Sequence, residues 1–453
     1  VVKKEINWRF KNMFGRKRFL VLVFISVLAL AVVLAGRWSI TDVSAEAETY
    51  ENLKVFTEVL SVIQRSYVEK VDSKELVYDA IRGMLKSLDP HSGFLPPDAY
   101  KEMQVETKGE FGGLGIQISM RDGILTVIAP IEDTPAWRAG IKAGDKIVKI
   151  NGEPTKDMTL QDAVNKMRGP KGTSVTITIV REGWDEPKDF TIIRDIIRIK
   201  SVRFKVLEDN IGYVKINQFQ QRTASELASA LKSLSKDGIT SLILDLRNNP
   251  GGLLNAAVDV TGQFLPKNTL VVYIKGRTGE RTEYRTRGKN SPFNLPMVVL
   301  VNQGSASASE IVAGALKDWK RAVILGVQTF GKGSVQSIIP LSDGSGLRLT
   351  TARYYTPKGT SIQTKGITPD IVVKLKAKNG EEHPVIREKD LRGHLENDQD
   401  KDKTKEEDTK PETAVFKVPD EKDDTQLQRA IDLLKTWTIF KELSGVSNVT
   451  ANP

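Results

Sequence analysis

The sequence predicts a multidomain protein combining α/β and α+β parts, and three patterns support this. From Ile211 to about Val373 the chain repeats strand, glycine-rich turn and helix, the pattern of an α/β core. Gly109–Gly183 instead holds short β-rich runs separated by glycine turns. Both ends carry helical apolar stripes. A chain of 453 residues can bury several separate cores.

The elements follow in chain order. Residues 1–18 hold seven basic side chains (Lys3, Lys4, Arg9, Lys11, Arg16, Lys17, Arg18) and one acid, Glu5. They supply +6 of the net charge of +10, so the rest of the chain is nearly balanced and no nucleic-acid partner is expected. A seventeen-residue apolar run, Phe19 to Ala35, contains one polar residue, Ser26. As a helix it would span about 25 Å, the lower limit for a bilayer crossing. Residues 19–36 are therefore expected to be a transmembrane anchor or a signal peptide. The anchor is favoured because the run is long for a signal core and Val33-Leu-Ala35 is only a fair cleavage site. In both cases the basic flank stays in the cytoplasm, as residues 1–18, and the chain after Arg37 is exported. That places the protein on the inner membrane facing the periplasm or the cell exterior, or secretes it if the segment is cleaved. With no cysteine, stability must come from packing.

Residues 45–100 form an N-terminal helical region. Leu53, Phe56, Leu60 and Ile63 make one stripe, and Leu76, Ala80, Ile81, Met84 and Leu85 a second. Within the β-rich region at 105–185, Leu125–Ile128, Lys146–Ile150 and Val175–Val180 read as strands and Leu160–Met167 as a short helix. In the core at 186–376, Ser241–Leu246 leads through Asn248-Asn-Pro-Gly-Gly252 into a helix. Met297–Val301 leads through Asn302–Ser307 into another, with Ile311, Ala315 and Trp319 on one face. Ala322–Leu325 is the next strand. Residues 377–424 read as a charged, solvated linker, and 425–443 as an amphipathic helix with Leu427, Ile431, Leu434, Trp437 and Phe440 on one side.

Chemistry concentrates in two segments, Gly304-Ser-Ala-Ser-Ala-Ser-Glu310 and Phe330-Gly-Lys-Gly-Ser-Val-Gln336. The absence of cysteine excludes a thiol nucleophile. None of the three histidines (His91, His383, His394) lies near the serines, which disfavours a Ser-His-Asp triad. A serine with a lysine base remains. Ser305, Ser307 and Ser309 all lie near a strand-to-helix turn, where amides at the helix start can stabilise a developing oxyanion. Ordinary helix capping accounts for at least one of them. Lys332 follows a buried-looking strand, and its flanking glycines permit the desolvation that would lower its pKa. A phosphate loop is excluded because Gly331-Lys-Gly333 lacks the Gly-x4-Gly-Lys-Ser/Thr spacing. Gln336 can orient the amine as a third group. The histidines have no ligand-like company, so neither a metal nor a cofactor is expected.

Over roughly residues 50–375 the sequence resembles the carboxyl-terminal processing peptidases, or tail-specific proteases. The resemblance lies in Leu88-Asp-Pro-His-Ser-Gly-Phe94, Asp245–Gly252, Gly304–Glu310, Thr329–Gln336 and Gly366-Ile-Thr-Pro-Asp370. It implies a crotonase-like or ClpP-like α/β protease core with an inserted β-rich PDZ domain at 105–185. It also implies Ser307 as nucleophile, Lys332 as base and Gln336 as assistant, with oxyanion donors from Ala308 and from Gly251 or Gly252. Phe111-Gly-Gly-Leu-Gly-Ile116 is similar to a PDZ carboxylate loop. By that likeness Gly113, Leu114, Gly115 and Ile116 are expected to bind the peptide. Arg168 would pair with a carboxylate or couple this module to the protease. His91 is read as structural. The terminal helices resemble elements used for self-association.

The expected function is an exported serine endopeptidase for proteins or peptides with free C-termini. A membrane contact through the N-terminal helix and a homo-oligomeric state go with it, and a separate adaptor is compatible. The alternatives are a non-catalytic PDZ adaptor, disfavoured by the intact Ser307, Lys332 and Gln336, and an acyl-CoA enzyme of crotonase type. An export signal and a PDZ insertion argue against the latter.

Overall fold

A computed structural model describes residues 49–288, 293–375, 386–400, 421 and 423–443. The expected basic segment, the span at 19–36, His383 and residues 401–420 of the linker lie outside the described residues. Among those described, no helix is long and apolar enough to cross a membrane. The chain divides into two compact units, through Gly83 and from Met84 onward. The first carries a helix over 49–66 in which Leu53, Phe56 and Val59 are largely exposed.

The α/β core is built on a six-stranded sheet. Its order is Val202–Val206, Ile211–Ile216, Ser241–Asp245, Met297–Val301, Val323–Gly326 and Ile371–Val372. The first pair is antiparallel and the others are parallel. Every residue of Ser241–Asp245 and of Met297–Val301 is buried, as expected of parallel strands covered on both faces. Helices Thr223–Lys236, Leu254–Thr261 and Ala308–Asp318 contribute to the core on one face. Helix Thr425–Leu443 covers the other with Leu427, Ala430, Ile431 and Leu434. Trp437 and Phe440, expected on that same face, are exposed because they lie beyond the last buried turn. A second sheet pairs Gly346–Tyr355 with Ser334–Pro340, Gly93–Leu95 and Leu270–Gly276.

In the chain, a β-rich module is inserted between Gly93–Leu95 and Val202–Val206. A ribbon of Glu110–Gly113 and Asp195–Arg198 leads into and out of it. Its sheet runs Ile116–Arg121, Ile124–Pro130, Lys146–Ile150, Ser174–Val180, Lys188–Ile193. In Ser174–Val180 buried residues alternate with exposed or half-buried ones, which places Val175, Ile177 and Ile179 in the module core. Helix Leu160–Met167 opens on a capping box between Thr159 and Asp162.

The stretch read as solvated linker is folded in part. Residues 386–400 lie against the α/β core, with Glu388 wholly buried and Asn397 nearly so, and Asp424 is also buried. Hydrogen-bond partners from distant segments compensate these polar groups, and composition alone carries no record of such partners.

Candidate active site

Three adjacent parallel strands end on the same edge, and the loops beyond their carboxyl ends form the site. The first loop, after Asp245, contains Asn248–Gly252. The second, after Val301, contains Ser305–Ser309. The third, after Gly326, contains Lys332.

The first two loops are tied together. Asn248 N–H donates to Asn302 Oδ1 at 2.9 Å, and Asn302 Nδ2 donates to Asn248 Oδ1 at 2.8 Å. The carbonyl of Asn249 accepts the amide of Ala306 at 3.0 Å and the hydroxyl of Ser309 at 2.9 Å. Ser305 is buried and donates to the Leu246 carbonyl at 2.8 Å. Ser305 and Ser309 are thus occupied in holding the turn. Ser307 is the only one of the three that is not fully buried. It precedes helix Ala308–Asp318 with φ 53° and ψ −112°, an uncommon backbone conformation for a serine and one that concentrates at functional turns.

Glu310 closes the Gly304–Glu310 motif, and the sequence alone assigns it no role. Its carboxylate is fully buried and accepts four bonds. Oε1 takes the Thr329 hydroxyl at 2.6 Å and Gly331 N–H at 2.7 Å, while Oε2 takes Ser307 N–H at 2.8 Å and Lys332 N–H at 2.9 Å. One oxygen therefore holds the main chains of Ser307 and Lys332, whose nitrogens can be no further apart than those two distances together. Burial pushes the Glu310 carboxyl up to about 7, against the pull of its four donors. The available sequence signal was the Ser-x-x-Glu spacing of a capping box.

The Lys332 side chain is partly buried. Desolvation lowers its pKa below the ordinary lysine value, with the Arg348 charge acting the same way; Glu388, Asp89 and Glu310 oppose them. Gln336 lies on Ser334–Pro340 and donates through Nε2 to Ser334 Oγ at 3.2 Å and Thr350 Oγ1 at 3.0 Å. Asp89 accepts the same Thr350 hydroxyl at 3.1 Å, along with the Ser92 hydroxyl and the amides of His91 and Ser92. The Leu88–Phe94 motif is thereby joined to the strand carrying Gln336.

Gly251 N–H donates to Asn249 Oδ1 at 2.9 Å. Gly251 has φ 103°, and a β-carbon there would lie 2.9 Å from Ser307 Cβ and 3.0 Å from Ala308 N. Gly251→Ala is therefore expected to displace the Ser307 turn and lower kcat/KM by about 10²-fold, as measured on a fluorogenic peptide. Parent-like turnover would show that this contact does not position Ser307.

In the β-rich module, Ile116–Arg121 is an edge strand beside helix Leu160–Met167. The groove between them is lined by Leu114, Ile116, Ile118, Val164 and Met167 among others. The carbonyls of Leu114 and Gly115 accept the amides of Ala136 and Ile131 at 2.9 and 2.8 Å. In a trans peptide the following N–H points the opposite way, so the amides of Gly115 and Ile116 face away from those contacts. Arg168 forms a two-pronged pair with Glu102 of helix Pro97–Lys108, and its guanidinium stacks 4.6 Å over the Phe111 ring. Its carboxylate partner is thus one of the chain's own. Among the described residues no cluster of metal-ligating side chains occurs.

Residues 210–373 match peptidase family S41, 126–181 a PDZ domain, and 36–99 the N-terminal domain of the activating protease CtpB. This combination defines a serine-type peptidase carrying a peptide-binding module. The chain is 45% identical to a carboxy-terminal-processing protease of Bartonella bacilliformis, covering 92% of this chain and 95% of that one. It is 39% identical to a carboxyl-terminal-processing protease of Synechocystis sp., over 75% of this chain and 80% of the other. A solved photosystem II D1 C-terminal processing protease is 34% identical, covering 71% of this chain and 92% of its own, with a TM-score of 0.41. The chain belongs to the carboxyl-terminal processing protease family, as its motifs led one to expect.

Proposed function

We propose that Ser307 and Lys332 form the catalytic pair of an endopeptidase acting on proteins selected through their C-termini. The carrying observation is the single Glu310 oxygen that accepts both main-chain amides. Neutral Lys332 takes the Ser307 proton as the hydroxyl attacks a peptide carbonyl. The oxyanion rests on the Ala308 amide, which as the first amide of its helix has no intrahelical acceptor. Gly252 supplies the second donor, since the Gly251 amide is committed to Asn249. Gln336 uses its NH2 on two hydroxyls, leaving its carbonyl oxygen to steer the lysine amine. Protonated Lys332 then gives that proton to the leaving nitrogen as the C–N bond breaks, and water hydrolyses the resulting Ser307 ester to the acid product and the free hydroxyl.

The substrate's last residues add a strand to Ile116–Arg121 while the amides of Gly115 and Ile116 take the terminal carboxylate. The segment at 19–36 keeps the enzyme exported and anchored, and the exposed apolar residues of helix 49–66 and of Thr425–Leu443 serve self-association.

The test compares an unfolded protein substrate with its C-terminally amidated form, beside Ser307→Ala. The expected results are no cleavage by Ser307→Ala and a kcat/KM about tenfold lower for the amidated substrate, the loss of one charge-assisted contact set. Cleavage by Ser307→Ala would refute the nucleophile, and equal rates on both substrates would refute carboxylate reading.

A further inference from the structure

Residues 386–400 lie beyond the 210–373 stretch that matches the peptidase family, yet they bond to the lysine loop. The Glu388 amide donates to the Phe330 carbonyl at 3.1 Å. The Glu388 carboxylate accepts Gln363 Nε2 at 2.9 Å, and Gln363 Oε1 in turn accepts Gly333 N–H at 3.0 Å. Lys332 is thereby bracketed on both sides by bonds that converge on one residue. The same carboxylate, with none of its side chain exposed, meets His91 Nε2 at 2.7 and 2.9 Å.

We propose that Glu388 is a positioning residue for the Lys332 amine: it fixes the loop on either side of Lys332, and its carboxylate, retained by His91, is the principal negative charge facing that amine. The other titratable groups near the amine come from three elements. Strand Gly346–Tyr355 brings Arg348, whose Nε also donates to the His91 carbonyl at 2.8 Å. The Leu88–Phe94 turn brings Asp89 and His91, and helix Ala308–Asp318 brings Glu310. Beside Glu388, Arg387 turns its guanidinium to the carbonyls of Thr364 and Lys365. Of the charges acting on Lys332, Glu388 is the largest and favours the protonated amine, whereas Arg348 disfavours it. A carboxylate placed there holds the lysine in reserve as an acid for the leaving amine, at the cost of less free base.

The proposal rests on Lys332 being the base, so its test has a readout that does not need catalysis. Acetylation of Lys332 by acetic anhydride is followed by mass spectrometry across pH in the full-length protein, with hydrolysis of a peptide measured in parallel. For Glu388→Gln, both profiles are expected to move to lower pH. At the foot of the rising limb, labelling and kcat/KM, each relative to its own plateau, should be about three- to tenfold above the parent. His91→Gln keeps the carboxylate and a donor to it and should not reproduce that move; an equal move would overturn the assignment to the Glu388 charge. A labelling profile unmoved in folded Glu388→Gln would overturn the proposal. Labelling that moves without the rate profile would leave Glu388 in this role and refute Lys332 as base. If Glu388→Gln does not fold, Arg348→Gln serves as the second reading. It should shift Lys332 labelling to higher pH, and no shift would count against charge control of this amine.

Discussion

Lys332→Met is expected to abolish hydrolysis while raising the thermal midpoint. Methionine keeps most of the length of the side chain and removes the amine, so the loop can retain its bonds to Glu310 and Gln363 through the main chain. If Lys332 is the base, as proposed, its loss should lower kcat by about 10⁴-fold or more, and adding Ser307→Ala should cost little beyond that, because the two groups would act as a unit. The gain in stability follows from the direction of the lysine's own shift. Burial holds its pKa in the folded protein below the ordinary value of 10.5. The unfolded chain therefore binds the proton more tightly, and folding is opposed wherever free lysine is charged, with the opposition fading as pH rises toward 10.5. Methionine removes that opposition at neutral pH. Calorimetry and a fluorogenic peptide assay read the two effects separately. A variant that loses activity and also melts earlier would show that the Lys332 amine supports the fold through its own contacts.

The parts of the site that the sequence reveals are those built from local pattern. Leu160–Met167 was legible as a helix because its apolar spacing and cap lie within nine residues of one another. Met297–Val301 was legible because a wholly buried strand is an unbroken apolar run. Sequence singles out Ser307 among three serines only through the family motif; that Ser305 and Ser309 are buried in bonds to the neighbouring loop is visible only in the structure. The supporting carboxylates were not legible. His91 and Glu388 are 297 positions apart, and Arg247 and Asp424 are 177 apart. No periodicity marks such pairs, and a charge-dense stretch looks solvated until its partners are known. Glu310 is different, since its Ser-x-x-Glu spacing was visible, but the spacing indicates a helix start and says nothing of the Lys332 loop it also binds.

The Asp424 pair is where that hidden order should have its largest effect on stability. Arg247, one residue before the Asn248–Gly252 loop, is 1% exposed. Its Nη1 and Nη2 each donate to an Asp424 carboxylate oxygen at 2.8 Å, Nη1 also donates to Gln426 at 3.1 Å, and Asp245 takes Nε and Nη2 from the other side. Asp424 Oδ1 also accepts Leu427 N–H at 3.0 Å, near the start of the helix that covers the sheet. Asp424→Ala removes both functions at once. Breaking a buried pair by deleting one partner costs about 3–5 kcal/mol, and losing the bond at the helix start adds about 1 kcal/mol. Asp245 remains to the guanidinium: burial raises its pKa, but Arg247 more than compensates and holds it below 3.8. The stabilisation from that remaining carboxylate is complete above 3.8 and lost only as pH falls through its lower folded value, so denaturant titration at neutral pH isolates the Asp424 contribution. Asn249, two residues after Arg247, carries the turn that presents Ser307. Activity should therefore fall in the fraction that stays folded. Asp424→Asn keeps the shape and an acceptor oxygen, and should lose less of both. If Asp424→Ala instead unfolds within about 1 kcal/mol of the parent, the magnitude of an exposed pair, water must reach Arg247, and the C-terminal helix cannot be holding the loop through it.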